Sequence, residues 1–115
     1  MQVSVELPWP PSVNRYWRRN GNRYFICVDG VKFRNDVSML CHKYLHMFDG
    51  QVRLSLSIAA YPPDKRRRDL DNVLKAIGDS LEHAQVFKDD NQIDRLVVSR
   101  MPELLSKVVV TINKL

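Results

Sequence analysis

Cysteine is scarce in this chain. Cys27 and Cys41 stand without a C-x-x-C spacing, so both read as reduced thiols serving as small apolar residues. The core must therefore form without disulfides, and a reducing, intracellular setting fits. Long apolar runs are also missing. None approaches the roughly 20 residues that a membrane span needs, which argues against a membrane partner. The opening "MQVSVELPWP" lacks a charged start and an apolar middle, so it reads as no signal peptide. Repeats, low-complexity tracts and linkers are absent too. A length of 115 residues suits one domain over residues 1–115 and leaves no room for two. The 44% hydrophobic and 27% charged fractions are those of an ordinary globular protein.

Positive charge is what the chain has in excess. Lys and Arg number 18 against 13 acids, and 18 − 13 = +5. Such a balance favours an anionic partner, and nucleic acid is the commonest large polyanion.

The hydrophobic periodicity predicts a sequence of elements. "QVSVE" alternates Val3, Val5 and then Leu7, the pattern of a half-buried strand. The prolines of "PWPPS" stop it. Asn20-Gly21, between "RYWR" and "RYFICV", signals a hairpin turn. Asp29 is a candidate N-cap. Residues 31–48 read as a helix with Phe33, Val37, Leu40, Cys41, Tyr44 and Phe48 on one stripe. His42 and His46 fall opposite that stripe without the zinc-protease pattern, and read as surface histidines more readily than as a metal pair. Residues 52–61 alternate as a strand, a second helix runs from about Asp69 to Ala84, and "QIDRLVVSRM" and "KVVVTIN" are two further strands. The fold class expected is α+β or mixed α/β: one small domain, a mixed sheet with two main helices on one face.

The stretch "KRRRDLDNVLK" presses four cations, Lys65, Arg66, Arg67 and Arg68, against Asp69 and Asp71 at the start of the second helix. A structural account is available. Asp69 caps the helix, Asp71 favours its positive end, and Asp71–Lys75 forms an i,i+4 pair. That account leaves out "KDDNQID", which brings Asp89, Asp90 and Asp94 just after the helix. Were the return segment to bring Asp90 back to Asp69 and Asp71, three like charges would crowd together. A hard divalent cation with oxygen ligands resolves such crowding, and Mg²⁺ suits it. The cationic run would then hold flanking phosphates, with Lys75 offsetting charge in a transition state. Metal-assisted phosphodiester hydrolysis and a structural salt-bridge network both remain open from the residues alone.

"LPWPPSVNRYWR", "RRRDLDNVLKAIGDSL" and "DDNQID", in that order, resemble the RusA family of Holliday junction resolvases over nearly the whole chain. The resemblance implies a small homodimeric, magnesium-dependent endonuclease that nicks four-way DNA junctions symmetrically, from bacteria or phage and hence cytoplasmic. It carries Asp69, Asp71 and Asp90 over as the metal-binding catalytic set. Lys75 matches the catalytic lysine and Arg68 the arginine before the acids. Asn72 and Asn14 fall on family-like positions, and with Lys65, Arg66, Arg67 and Arg68 they make the expected DNA-contacting set. Asp79 matches an acid often seen on that helix. Gln85 stands near the place where the family often has glycine, a departure in the turn that leads to Asp90. A dimer suits a substrate with approximate two-fold symmetry. Trp9, Tyr16, Trp17 and Phe25 are stacking candidates, though such residues are more often core or dimer contacts. The alternatives are a junction- or DNA-binding protein without catalysis, and a phosphoesterase for small substrates. The cationic run argues against the latter.

Overall fold

Alternation of buried and exposed residues builds the centre of a sheet. The computed structural model describes residues 2–115, apart from the side chains of Val13, Asn14, Arg18, Arg19, Asn20 and Tyr24. The element order is β1 (Gln2–Pro8), α1 (Val13–Tyr16), β2 (Trp17–Asn20), β3 (Arg23–Ile26), α2 (Val28–Leu40), β4 (Leu54–Tyr61), α3 (Leu70–His83), β5 (Ile93–Arg100) and β6 (Lys107–Lys114). The four-stranded sheet runs β1-β6-β4-β5. Its β4–β5 pair is parallel, with α3 as the crossover, and the other pairs are antiparallel, so the sheet is mixed as expected. Strands β2 and β3 form a separate ribbon. Its turn falls on Gly21 and Asn22, one residue beyond the expected Asn20-Gly21, and Gly21 carries the positive φ of 63°.

The register aligns one apolar face. Val3 and Leu7 sit opposite Ile112 and Val108, and Ile112, Val110 and Val108 in turn face Leu56, Ile58 and Ala60. These residues share one core with Phe33 and Val37 of α2 and with Val73, Ala76, Ile77 and Leu81 of α3. Each large side chain buried this way contributes about 1.5–3 kcal/mol of transfer free energy. Cys41 belongs to that core, and burial pushes its thiol pKa up to about 11. Both cysteines are free, as expected.

Helix α2 departs from its expected span. It starts at Val28 with Cys27, not Asp29, at the N-cap, and it ends at Leu40, which is 45% exposed. Close packing explains the early start. A Cβ on Gly30 would stand 2.7 Å from the carbonyl oxygen of Tyr16 and 2.7 Å from Ile26 Cγ1, so only glycine lets α2 lie against α1 and β3. Long-range hydrogen bonds explain the early end. After a 3-10 turn at His42–Tyr44, the His46 N–H donates to the Gln85 carbonyl at 2.7 Å and the Phe48 N–H donates to Val86 at 3.3 Å. Those donors are unavailable to a continuing helix. His42 and His46 are exposed.

Helix α3 ends one residue before Ala84, and Gln85 then adopts φ 58°. The left-handed turn is therefore present without the glycine that usually makes it. An L-residue pays about 1–2 kcal/mol there, partly offset by the larger unfolded-state entropy of glycine. Gln85→Gly should accordingly stabilise the fold by ~0.5–1 kcal/mol, read as a higher urea midpoint with unchanged slope. A lower midpoint would show that the Gln85 side chain, which donates to the Glu82 carbonyl at 3.0 Å, outweighs the strain.

Candidate active site

Two prolines end β4, and the chain turns on Asp64 before α3 begins. Asp64 accepts the Arg66 backbone N–H at 2.9 Å and pairs with Arg68 Nη1 at 2.8 Å. Arg68 beside it holds the Asp64 carboxyl below the ordinary carboxylate range. The Arg68 guanidinium lies 5.7 Å from the centre of the Trp9 ring and also donates to the carbonyls of Asp64 and Arg66. Arg100, at the end of β5, donates to the Arg68 carbonyl. The four cations thus divide. Lys65, Arg66 and Arg67 point to solvent, whereas Arg68, expected among the DNA contacts, is engaged inside the protein.

Asp69 follows as the N-cap of α3, but its side chain makes no cap hydrogen bond. The expected Asp71–Lys75 pair does not form either: the one i,i+4 ion pair on a helix, among the described residues, is Lys32–Asp36. Asp69, Asp71, Asn72 and Lys75 are all exposed. A cavity of about 830 Å³ is lined by Asp69 and Asn72, but not by Asp71 or Lys75, together with Trp9, Phe33, Lys32, Arg66 and Arg67. The side chain of Asn14 lies outside the described residues.

Asp90 is at the other end of α3. Its backbone N–H donates to Glu82 Oε2 at 3.0 Å. Glu82 is eleven residues beyond Asp71, a separation of about 16 Å along the axis at 1.5 Å per residue. The expected return of Asp90 to Asp69 and Asp71 within one chain is therefore overturned. The reason is Gln92, which is buried and stops the segment where it leaves the helix. Its amide donates to the carbonyls of Asp49 at 2.7 Å and Val52 at 3.0 Å, and its oxygen accepts from the N–H groups of Lys88 at 2.9 Å and Asp89 at 3.1 Å. The "DDNQ" run is a capping box on a short 3-10 turn, with the Asp89 side chain accepting from the Asn91 N–H.

Asp90 instead joins Glu82 and Asp89. Among the described residues, these make the one group of three whose ligand atoms all lie within 4.8 Å of one another. The hydrogen bond shared with Asp89, then burial, then the Asp89 charge hold the Asp90 carboxyl above its usual range. Three carboxylates this close form a donor set of oxygen alone, the kind that suits a hard cation. Asp94 is taken up by Arg53.

Asp79 has a structural partner. It accepts from the Tyr16 hydroxyl and from Arg34 Nε at 2.8 Å, and Arg34 lies 5.5 Å from the Trp17 ring centre. Tyr16 is fully buried, so it is core and not a stacking platform, whereas Phe25 is 46% exposed. Glu82, Gln92, Asp64 and Arg100 were not singled out by the sequence. Only Gln92 had a local signal, the Asp-x-x-Gln spacing before an apolar strand.

The family model described as "Endodeoxyribonuclease RusA" matches residues 8–113. A "Crossover junction endodeoxyribonuclease rusA" of Enterobacteria phage HK97 is 46% identical over 94 residues, covering 82% of this chain and 78% of the relative. The proteins named "Crossover junction endodeoxyribonuclease RusA" in Shigella sonnei (strain Ss046) and Escherichia coli (strain K12) are 38% and 37% identical over 99 residues, each covering 86% of this chain and 82% of the relative. Because the match runs from the end of β1 into β6, and so takes in the cationic strap of residues 65–68 and both acid-bearing ends of α3, the chain belongs to the RusA endodeoxyribonuclease family.

Proposed function

We propose that this protein cleaves four-way DNA junctions by phosphodiester hydrolysis, as a symmetric homodimer that uses Mg²⁺ in the bacterial or phage-infected cytoplasm. The carrying observation is that Asp69, Asp71 and Lys75 are exposed beside the strap while the cap bond and ion pair that would give them a structural role are not made. A DNA-binding protein without catalysis has no use for such a cluster, since bare carboxylates repel phosphate. The bacterial and phage relatives, and the lack of any described helix long and apolar enough to cross a membrane, support the setting.

The separation of Asp90 from Asp69 and Asp71 supports a site completed by a second copy. Two α3 helices packed side by side across a two-fold axis perpendicular to them would run antiparallel, and each acid-bearing start would then meet the Glu82–Asp90 end of the other. The surface for such a contact is open. Edge strand β5 exposes Leu96 at 45%, on the face that carries α3, and a Cβ at Gly78, midway along α3, would meet nothing within 4 Å. Asp69, Asp71 and Asp90 would hold the cation, which lowers the pKa of a bound water and screens the scissile phosphate. Lys75, one turn past Asp71, faces the negative charge that builds on the phosphoryl oxygens. Lys65, Arg66, Arg67 and Asn72 hold flanking phosphates.

The direct test compares a four-way junction with a linear duplex, in Mg²⁺ or EDTA. Cleavage of the junction alone, and in Mg²⁺ alone, is expected. Junction affinity should also fall steeply with salt, by about 10³-fold or more between 50 and 200 mM if six or more phosphates are contacted. Equal cutting of the duplex, or a flat salt response, would contradict the proposal.

A further inference from the structure

Three separate parts of the chain converge on Arg68. Asp64, from the turn after β4, pairs with its guanidinium at 2.8 Å. Trp9, from the segment after β1, lies beneath it with its ring centre 5.7 Å away. Arg100, from the end of β5, donates to its carbonyl oxygen. As a result the Arg68 side chain is 24% exposed, against 84% for Arg66 two residues earlier. That carbonyl belongs to the peptide group joining Arg68 to Asp69. A peptide unit is planar, so a hydrogen bond to its oxygen fixes the plane and the Asp69 N–Cα bond within it, and with the Asp69 φ of −89° this sets where the side chain leaves the backbone. Asp69 itself makes no cap bond that would orient it. Arg100 also closes a circuit: the strand it ends begins beside Asp90, so one rigid element spans from the acid cluster at one end of α3 to the peptide before Asp69 at the other.

We propose that Asp64 and Arg100 are positioning residues of the nuclease. Arg100 sets the orientation of Asp69 through the Arg68 peptide, and Asp64 keeps Arg68 on Trp9 as a prop for the strap and away from DNA. The inference rests on the reading of Asp69 and Asp71 as site acids. Neither Asp64 nor Arg100 needs to touch the substrate for this role.

The test uses full-length Arg100→Ala, Arg100→Lys, Asp64→Asn and, as a reference, Asp71→Asn. Junction binding is measured separately from single-turnover cleavage at saturating enzyme, over a series of Mg²⁺ concentrations. For Arg100→Ala the cleavage rate should fall about 10- to 100-fold, the scale seen when a partner behind a metal ligand is lost. The Mg²⁺ concentration for half-maximal rate should rise, and junction affinity should stay within about threefold. Arg100→Lys keeps one donor at that carbonyl and should restore most of the rate. Asp64→Asn releases a cation, so junction binding should hold or tighten while cleavage slows. A wild-type rate in Arg100→Ala overturns the proposal. So does a loss of binding that saturating enzyme repairs in full, because Arg100 would then be a DNA contact. Should Arg100→Ala not fold, Arg100→Met, which keeps the side chain's length but offers that carbonyl no donor, decides the matter with Asp64→Asn: a wild-type rate with unchanged Mg²⁺ dependence in either overturns it. Wild-type cleavage by Asp71→Asn would remove the underlying reading of the acids, independently of what the Arg100 variants do.

Discussion

Mixing Asp71→Asn protein with Asp90→Asn protein will restore junction nicking that neither variant shows alone. On the proposed reading each substitution removes a negative oxygen ligand, and a metal site that supplies several kcal/mol of transition-state stabilisation would lose at least ~10³-fold in rate with it. Junction binding should survive or tighten in Asp71→Asn, because an anion near phosphates has been removed. The recovery on mixing follows from the placement of Asp90 beside Glu82, far along α3 from Asp71. In a mixed dimer with shared sites, one site carries both substitutions and the other carries none. The intact site cuts one strand, so the product is a nicked junction and not a resolved pair of duplexes. If every site lay within one chain, each would carry one substitution and the mixture would stay inactive. The measurement is cleavage after subunit exchange, with exchange verified by mass. Inactivity in verified mixed dimers would eliminate the shared site.

The largest loss of stability is expected at Gln92. Its amide is 2% exposed and makes four hydrogen bonds, two given to the α2–β4 connection and two taken from the loop that carries Asp89 and Asp90. Gln92→Leu has similar volume but leaves two carbonyls and two N–H groups without their partner. A buried orphan costs about 1–3 kcal/mol. These four are only part-buried, so water recovers some, and a net loss of ~2–4 kcal/mol is expected from a total of about 5–15. Urea unfolding followed by circular dichroism measures it directly. Glutamate at the same place keeps the acceptor and loses the donor, so Gln92→Glu should fall between. A change below ~0.5 kcal/mol in Gln92→Leu would mean that the loop is held elsewhere.

Periodicity in the chain was enough to place the strands of the main sheet and helix α3. Val108, Val110 and Ile112 fall at every second position, and Val73, Ile77 and Leu81 recur at helical steps, so local spacing points to the buried face. The same spacing failed in α2. Leu40, Tyr44 and Phe48 continue the stripe, yet the helix stops at Leu40 because His46 and Phe48 give their N–H groups to Gln85 and Val86, 39 and 38 residues further along the sequence. The acids were identifiable as chemistry but not as a constellation. Charge, the Asp-x-Asp spacing and the oxygen-only donor set are properties of composition and order. Where Asp90 sits is a property of the turn after α3, held by Gln92 and by a left-handed Gln85.

By itself, then, the amino-acid sequence determined which side chains face the core along the regular strands and α3, the basic balance that calls for a polyanion, and the residues that tie the chain to its family. Each is encoded in spacing or in residue type. Only the tertiary structure decided that Arg68 is turned inward onto Trp9 and Asp64, that Asp69 and Asp71 make neither the expected cap bond nor the expected ion pair, and that Asp90 stands with Glu82 at the opposite end of α3. Those outcomes depend on hydrogen bonds between segments distant along the chain, and the competition among such partners is settled only when the sheet and helices are packed.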